Sequence, residues 1–212
     1  MAVLTMIYGQ SGTGKSTSLR NFDPSEVAVI NVSGKPFPFK GNMKSFNTDS
    51  YEAITAAIGK TDRKIIVIDD ATYLMVGEFM RTAKAQGFQK FTDMALNYYN
   101  LIRFCINLPD DVTVYHIGHV ETDNNGNEKF KTIGKLLDEK VTLEGYYTIV
   151  LKSVVTDGKY QFATQNNGQD TVKSPLGMFT SPLIENDLKA VDDVIRSFYG
   201  IELNKQQKGK NK

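Results

Sequence analysis

Gly9-Gln10-Ser11-Gly12-Thr13-Gly14-Lys15-Ser16 combines spaced glycines with a lysine and a hydroxyl in the pattern GxxxxGK[ST]. The residue types suit one task, which is holding phosphate. Glycines let backbone amides wrap an anion without Cβ clashes, and a helix that starts directly afterwards adds unpaired N–H groups. Lys15 is then expected to reach the β- and γ-phosphates, with Thr17 extending the cradle and Ser16 ligating magnesium through its hydroxyl. A second chemical feature is Ile65-Ile66-Val67-Ile68-Asp69-Asp70, an apolar run that delivers two acids at its end. Asp69 is expected on the magnesium side of such a site. Asp70 is expected either to polarise an attacking water or to cap the helix beginning at Ala71. The plain alternative for the first motif is a flexible glycine-rich turn with a surface lysine; the apolar segment before it argues against that.

These residues need a scaffold, and the hydropathy pattern supplies one. Ala2 to Tyr8, Val27 to Val32, Lys64 to Ile68 and Val112 to Val120 read as buried strands. Between them, helices are expected over Lys15 to Phe22, Asp49 to Gly59, Ala71 to Ala85 and Phe88 to Asn107. Asp23-Pro24 ends the first. Glu52, three residues after Asp49, resembles a capping box. Strands alternating with helices indicate a parallel sheet. Beyond residue 120 the pattern changes. Glu121 to Lys131 is polar and reads as a mobile loop or hairpin. Gly145 to Val155 and Tyr160 to Thr164 bracket Thr156-Asp157-Gly158-Lys159, a hairpin turn that adds antiparallel strands at one edge. An amphipathic helix is expected from about Ile184 to Tyr199. One α/β domain over residues 1–203 is followed by a basic tail, 204–212, without an apolar anchor and expected to be disordered.

The strand-loop-helix motif, the IIVIDD run, the strand ending in Gly118-His119 and the segment Val172-Lys173-Ser174-Pro175-Leu176-Gly177 occur in an order similar to that of the RecA-like (AAA-type) P-loop ATPases encoded by bacteriophages. That family includes the Sak-type single-strand annealing recombinases. The likeness runs over about residues 2 to 180. It implies a RecA-like fold, ATP and Mg2+ as ligands, ATP hydrolysis, self-association into a ring or filament, and action on single-stranded DNA in recombination, annealing or replication. It also implies roles. His119 stands where such proteins sense the γ-phosphate, the alternative being a surface histidine at a strand end. Lys173 is similar to a cation that reaches the neighbouring subunit's nucleotide, the alternative being a solvated turn lysine.

The chain also departs from that pattern. Where a glutamate is usual after an early strand, it has Asn31-Val32-Ser33-Gly34-Lys35-Pro36. Either Asp70 activates water or hydrolysis is slow, which favours a nucleotide-gated binding or loader protein as a second reading. The loop Gly34 to Lys40 interleaves lysines with Phe37 and Phe39, a composition that can hold single-stranded nucleic acid or tuck its rings into a core or a partner. A small-molecule phosphotransferase is a third reading, disfavoured because Arg20, Arg63, Arg81, Arg103 and Arg196 are scattered rather than clustered.

Bulk composition bounds the rest. The 212 residues carry a formal net charge of +1, so polyanion binding needs a local patch. One cysteine, Cys105, excludes an intramolecular disulfide and reads as a buried thiol. His116 and His119 lack cysteine partners at zinc-site spacing. No apolar run reaches membrane-spanning length, and the expected setting is the cytoplasm of a bacterial host cell.

Overall fold

The computed structural model describes residues 1–84, 86–134 and 136–202; the basic tail lies outside the described residues. Six parallel strands form the body of one sheet. They are β1 (Val3–Gly9), β2 (Val27–Asn31), β3 (Phe46–Asn47), β4 (Ile65–Asp69), β5 (Thr113–Thr122) and β7 (Ile149–Thr156). β8 (Lys159–Ala163) and β9 (Leu183–Glu185) add antiparallel strands, giving the order β3-β2-β4-β5-β1-β7-β8-β9. β6 (Glu128–Phe130) pairs with the far end of β5. The fold is thus α/β, with a mostly parallel mixed sheet flanked by helices.

Alternation along the buried strands decides which helices lie where. Leu4, Met6, Tyr8, Ile66, Ile68 and Val114 face one layer, made by α1 (Tyr51–Lys60), α2 (Thr72–Arg81) and α3 (Gln89–Ile106). Ile7, Val29, Val67, Tyr115, Ile117 and Leu151 face the other, made by α4 (Leu188–Tyr199) and a short turn after the glycine-rich loop. Both faces are covered, which is why these strands read as continuous apolar runs.

Several element boundaries differ from the sequence reading, each for a local reason. The segment after Lys15 is a 3-10 turn over Ser16–Asn21, six residues long, rather than a helix to Phe22. Pro24 leaves room for little more, and Ser18 Oγ donates to Lys15 O at 2.6 Å within the turn. Ser50, not Asp49, caps α1: its hydroxyl accepts from Ala53 N at 3.2 Å and donates to Glu52 at 2.8 Å. Asp49 instead pairs with Arg81. Gly145 lies in a 3-10 turn before β7. The expected last helix begins only at Leu188, because Leu183–Glu185 pairs with β8 and Asp187 accepts from Lys189 N and Ala190 N. The Asp157-Gly158 hairpin forms as expected, with φ of 52° and 74°.

α4 is locked to the sheet by a buried polar cluster. Asp192 accepts from Thr113 Oγ1 at 2.7 Å, Tyr115 Oη at 2.6 Å and Arg196 Nε at 2.7 Å. Arg196 also donates to Lys64 O and Asp111 O. Every charge there is paired and hydrogen-bonded, which lets it stay dry.

Candidate functional site

Parallel strands end together, and their shared C-terminal edge builds the site. Gly9 of β1 is level with His119 of β5, and Asn31 of β2 with Asp69 of β4. β5 lies between β1 and β4, so the glycine-rich loop, His119 and the two acids meet around one crevice. The crevice is a cleft of about 1030 Å³ lined by Ser11, Gly12, Gly14, Lys15, Ser16 and Thr17, by Asp69, Asp70 and His119, and by walls from other loops.

The glycine-rich loop turns sharply at two of its glycines. Gly12 and Gly14 adopt φ of 82° and 88°, left-handed conformations that side chains resist. Gln10 O accepts from Thr13 Oγ1 at 2.8 Å and Thr13 N at 3.4 Å, closing the turn. A Cβ at Gly9 would meet Ser153 O at 2.6 Å, so the loop is seated directly against β7. Ser153 Oγ donates to Thr13 O at 2.5 Å. Lys15 is 7% exposed, and its ammonium donates back to Gly9 O at 2.9 Å and Gln10 O at 2.7 Å. Burial pushes its pKa down, opposed by Asp70 and Asp69.

The acids are arranged differently from each other. Asp69 is buried, accepts from Ser16 Oγ at 3.0 Å, and is pushed up to about 6 by burial and by neighbouring Asp70. A hydroxyl and a carboxylate oxygen held together in this way are hard ligands of the sort magnesium takes, alongside phosphate oxygens. Among the described residues no cluster of three or more His, Cys, Asp or Glu could hold a metal by itself. Asp70 adopts a left-handed φ of 60°, an unusual conformation for a residue with a Cβ. It does not cap the next helix: α2 starts at Thr72 with Ala71 as N-cap and no side-chain cap. Its carboxylate instead stands 3.8 Å from His119 Nε2 and 3.9 Å from Lys35 Nζ.

His119 belongs to the cleft wall and is half-buried. Its backbone N–H donates to Thr72 Oγ1 at 3.0 Å, its ring meets Tyr73 edge-on, and buried Nε2 has no hydrogen-bond partner. Burial and the Lys15 charge push its pKa down. The polar stretch after it is a hairpin whose turn is knitted by Asp123 accepting from Asn125 N and Asn127 N, both at 2.8 Å. Lys131 N donates to His119 O at 2.9 Å, tying the hairpin to the histidine's own backbone.

Other expectations separate. Lys173 is exposed and lies outside this cleft. Its backbone exchanges bonds of 2.8 and 3.0 Å with Val150, and Leu176 in the same loop is fully exposed. Phe37 and Phe39 stack at 5.4 Å and pack, partly buried, against the core, Phe37 also lining the cleft. Cys105 is buried, 3.8 Å from His116 Nε2, and its thiol is pushed up to about 12.

Sequence reasoning missed the second wall. Tyr160 and Asn186 reach the loop from β8 and the residue after β9; a Cβ on Gly14 would lie 2.9 Å from the Tyr160 ring and 3.2 Å from Asn186 Oδ1. Arg20 lines the same wall, donating to Asn186 O at 2.5 Å and pairing with Glu185 at 3.3 Å. No spacing announces these residues, because they are brought together by the antiparallel edge. Comparison of the sequence with known proteins finds no matching family model and no matching curated protein. Among the described residues no helix is long and apolar enough to cross a membrane.

Proposed function

We propose that the cleft binds ATP with magnesium on a RecA-like P-loop fold, and that the protein hydrolyses ATP while acting on single-stranded DNA. The observation that carries the nucleotide reading is the 3.0 Å bond from Ser16 to buried Asp69, which joins the loop to the acid of a strand two places away. Lys15 and the amides of Ser11 to Thr17 would take the phosphates. Ser16 and Asp69 would hold magnesium, which when bound supplies charge neutralisation on the phosphate oxygens. Asp70 would accept a proton from water, a role supported by its carboxylate standing 3.8 Å from the unpartnered His119 Nε2. The hydrogen bond from the Lys131 amide supports a relay from His119 to the hairpin.

Single-stranded DNA and self-association rest on the motif order and on Lys173. An exposed lysine outside its own cleft, beside an exposed leucine, suits a contact with the next subunit's nucleotide. A reading with little hydrolysis draws on Asn31, which puts an amide rather than a carboxylate at the end of β2. A phosphotransferase has less support, since Arg20 is the arginine that lines the cleft.

ATP turnover by wild type and Lys173→Ala, with and without single-stranded DNA, tests the proposal. DNA-stimulated turnover that collapses in the variant and returns on mixing with Lys15→Ala subunits is the expected result. Turnover that ignores both DNA and the substitution removes the recombinase reading. Nucleotide binding with no turnover at all selects the gated binder.

A further inference from the structure

Asn31 explains what replaces the missing carboxylate. Its buried amide is consumed locally: Nδ2 donates to Lys35 O at 2.7 Å, while Oδ1 accepts from Gly34 N at 2.9 Å and Ser33 Oγ at 3.2 Å. Both ends of one side chain therefore fold residues 31–35 into a turn, with Gly34 at φ 67°. That turn places Lys35 on the cleft wall, its ammonium 3.9 Å from Asp70 and 5.0 Å from the centre of the Tyr73 ring. The end of β2 thus contributes a cation, not an acid.

The pairing with Asp70 is easily exchanged. The Lys35 side chain is 65% exposed, and an exposed pair at this separation is weak. Lys35 lines the same cleft as the Lys15 ammonium. An incoming anion at this end of the cleft would relieve that crowding of cations. A terminal phosphate carries more charge than a carboxylate and more acceptor oxygens, and a lysine's flexible stem can follow it.

We infer that Lys35 is a phosphate-sensing residue acting within its own subunit. It holds Asp70 in the absence of a terminal phosphate and binds that phosphate when a nucleoside triphosphate is present, leaving Asp70 beside His119 and free to engage water. This rests on the nucleotide reading above. It assigns triphosphate-versus-diphosphate discrimination to a residue other than Lys15 or Lys173.

Affinities for ADP and for a non-hydrolysable ATP analogue, measured by calorimetry with magnesium, test it. Lys35→Ala is expected to weaken the triphosphate by roughly tenfold, the loss of one charge-assisted hydrogen bond, and to leave ADP within about twofold. Lys35→Arg is expected to restore most of the difference. Equal losses for both nucleotides, or no loss for either, overturn the assignment while the nucleotide reading stands, provided Lys15→Ala weakens both. Wild-type protein that binds neither nucleotide overturns the nucleotide reading and this inference with it.

Discussion

Ser16 and Asp69 are 53 positions apart in sequence yet share one hydrogen bond, and that bond makes a sharp prediction about each. Asp69→Asn keeps a hydrogen-bond acceptor for Ser16 and a similar volume, so the fold is expected to survive. What it loses is negative charge where magnesium would sit. ATP affinity measured with magnesium should drop by about tenfold, while affinity in EDTA should stay near the wild-type value. Equal losses in the two conditions would move magnesium elsewhere. Two adjacent acids look interchangeable in sequence, but backbone geometry separates them. Asp69 points to the serine, whereas the left-handed turn at Asp70 directs its carboxylate at His119 and Lys35.

Elements hold these residues only as firmly as they are held themselves. α4 packs Leu188, Val191 and Ile195 on the sheet, and the Asp192–Arg196 cluster pins it to the opposite end from the cleft. Removing one partner leaves a buried charge unpaired, which costs about 3–5 kcal/mol. Asp192→Ala should therefore lower the urea midpoint strongly. If the folded variant still binds nucleotide with wild-type affinity, the cluster serves stability alone, as its distance along the strands suggests. The β8–β9 hairpin is the element whose importance was least visible in advance. The sequence points to β8 as one arm of an edge hairpin with β7 and puts Ile184 at the start of the last helix, yet through Tyr160 and the adjoining Asn186 the β8–β9 pair forms a wall against Gly14. Its strands carry ordinary alternating residues, so nothing marks the inward ones until the sheet order is known.

For the molecule as a whole, two buried groups contribute to acid stability with opposite signs. His116 is fully buried against Tyr147, Tyr98 and Cys105, and burial pushes its imidazole from 6.5 down to about 3. Between those values the unfolded chain binds a proton that the fold refuses, so this contribution to stability is lost as pH falls from 6.5. Asp69 behaves oppositely: pushed from 3.8 up to about 6, it holds a proton in the fold that the unfolded chain releases. Falling pH through that window relieves its burial. Urea titrations between pH 4 and 7 on wild type and His116→Gln should separate them. Wild type is expected to lose stability with acid more steeply than the variant, by at most about 1.4 kcal/mol per pH unit. Identical slopes would mean that His116 does not refuse the proton in the fold.

The sequence by itself determined the glycine-rich loop after β1, the strand that presents Asp69 and the alternation of strands and helices. Each of these is local: glycine spacing sets a turn, and runs such as Ile65 to Ile68 must be buried on both faces wherever they pair. Tertiary structure alone decided the rest. It placed β5 between β1 and β4, bringing His119 and Asp70 to within 3.8 Å. It turned the Asn31 amide inward and so carried Lys35 to the same carboxylate. It also closed the Gly14 side with a hairpin from beyond residue 158 and kept Lys173 out of that cleft. Those outcomes depend on strand order and loop closure, which sum many weak long-range contacts and leave no local pattern for a spacing rule to find.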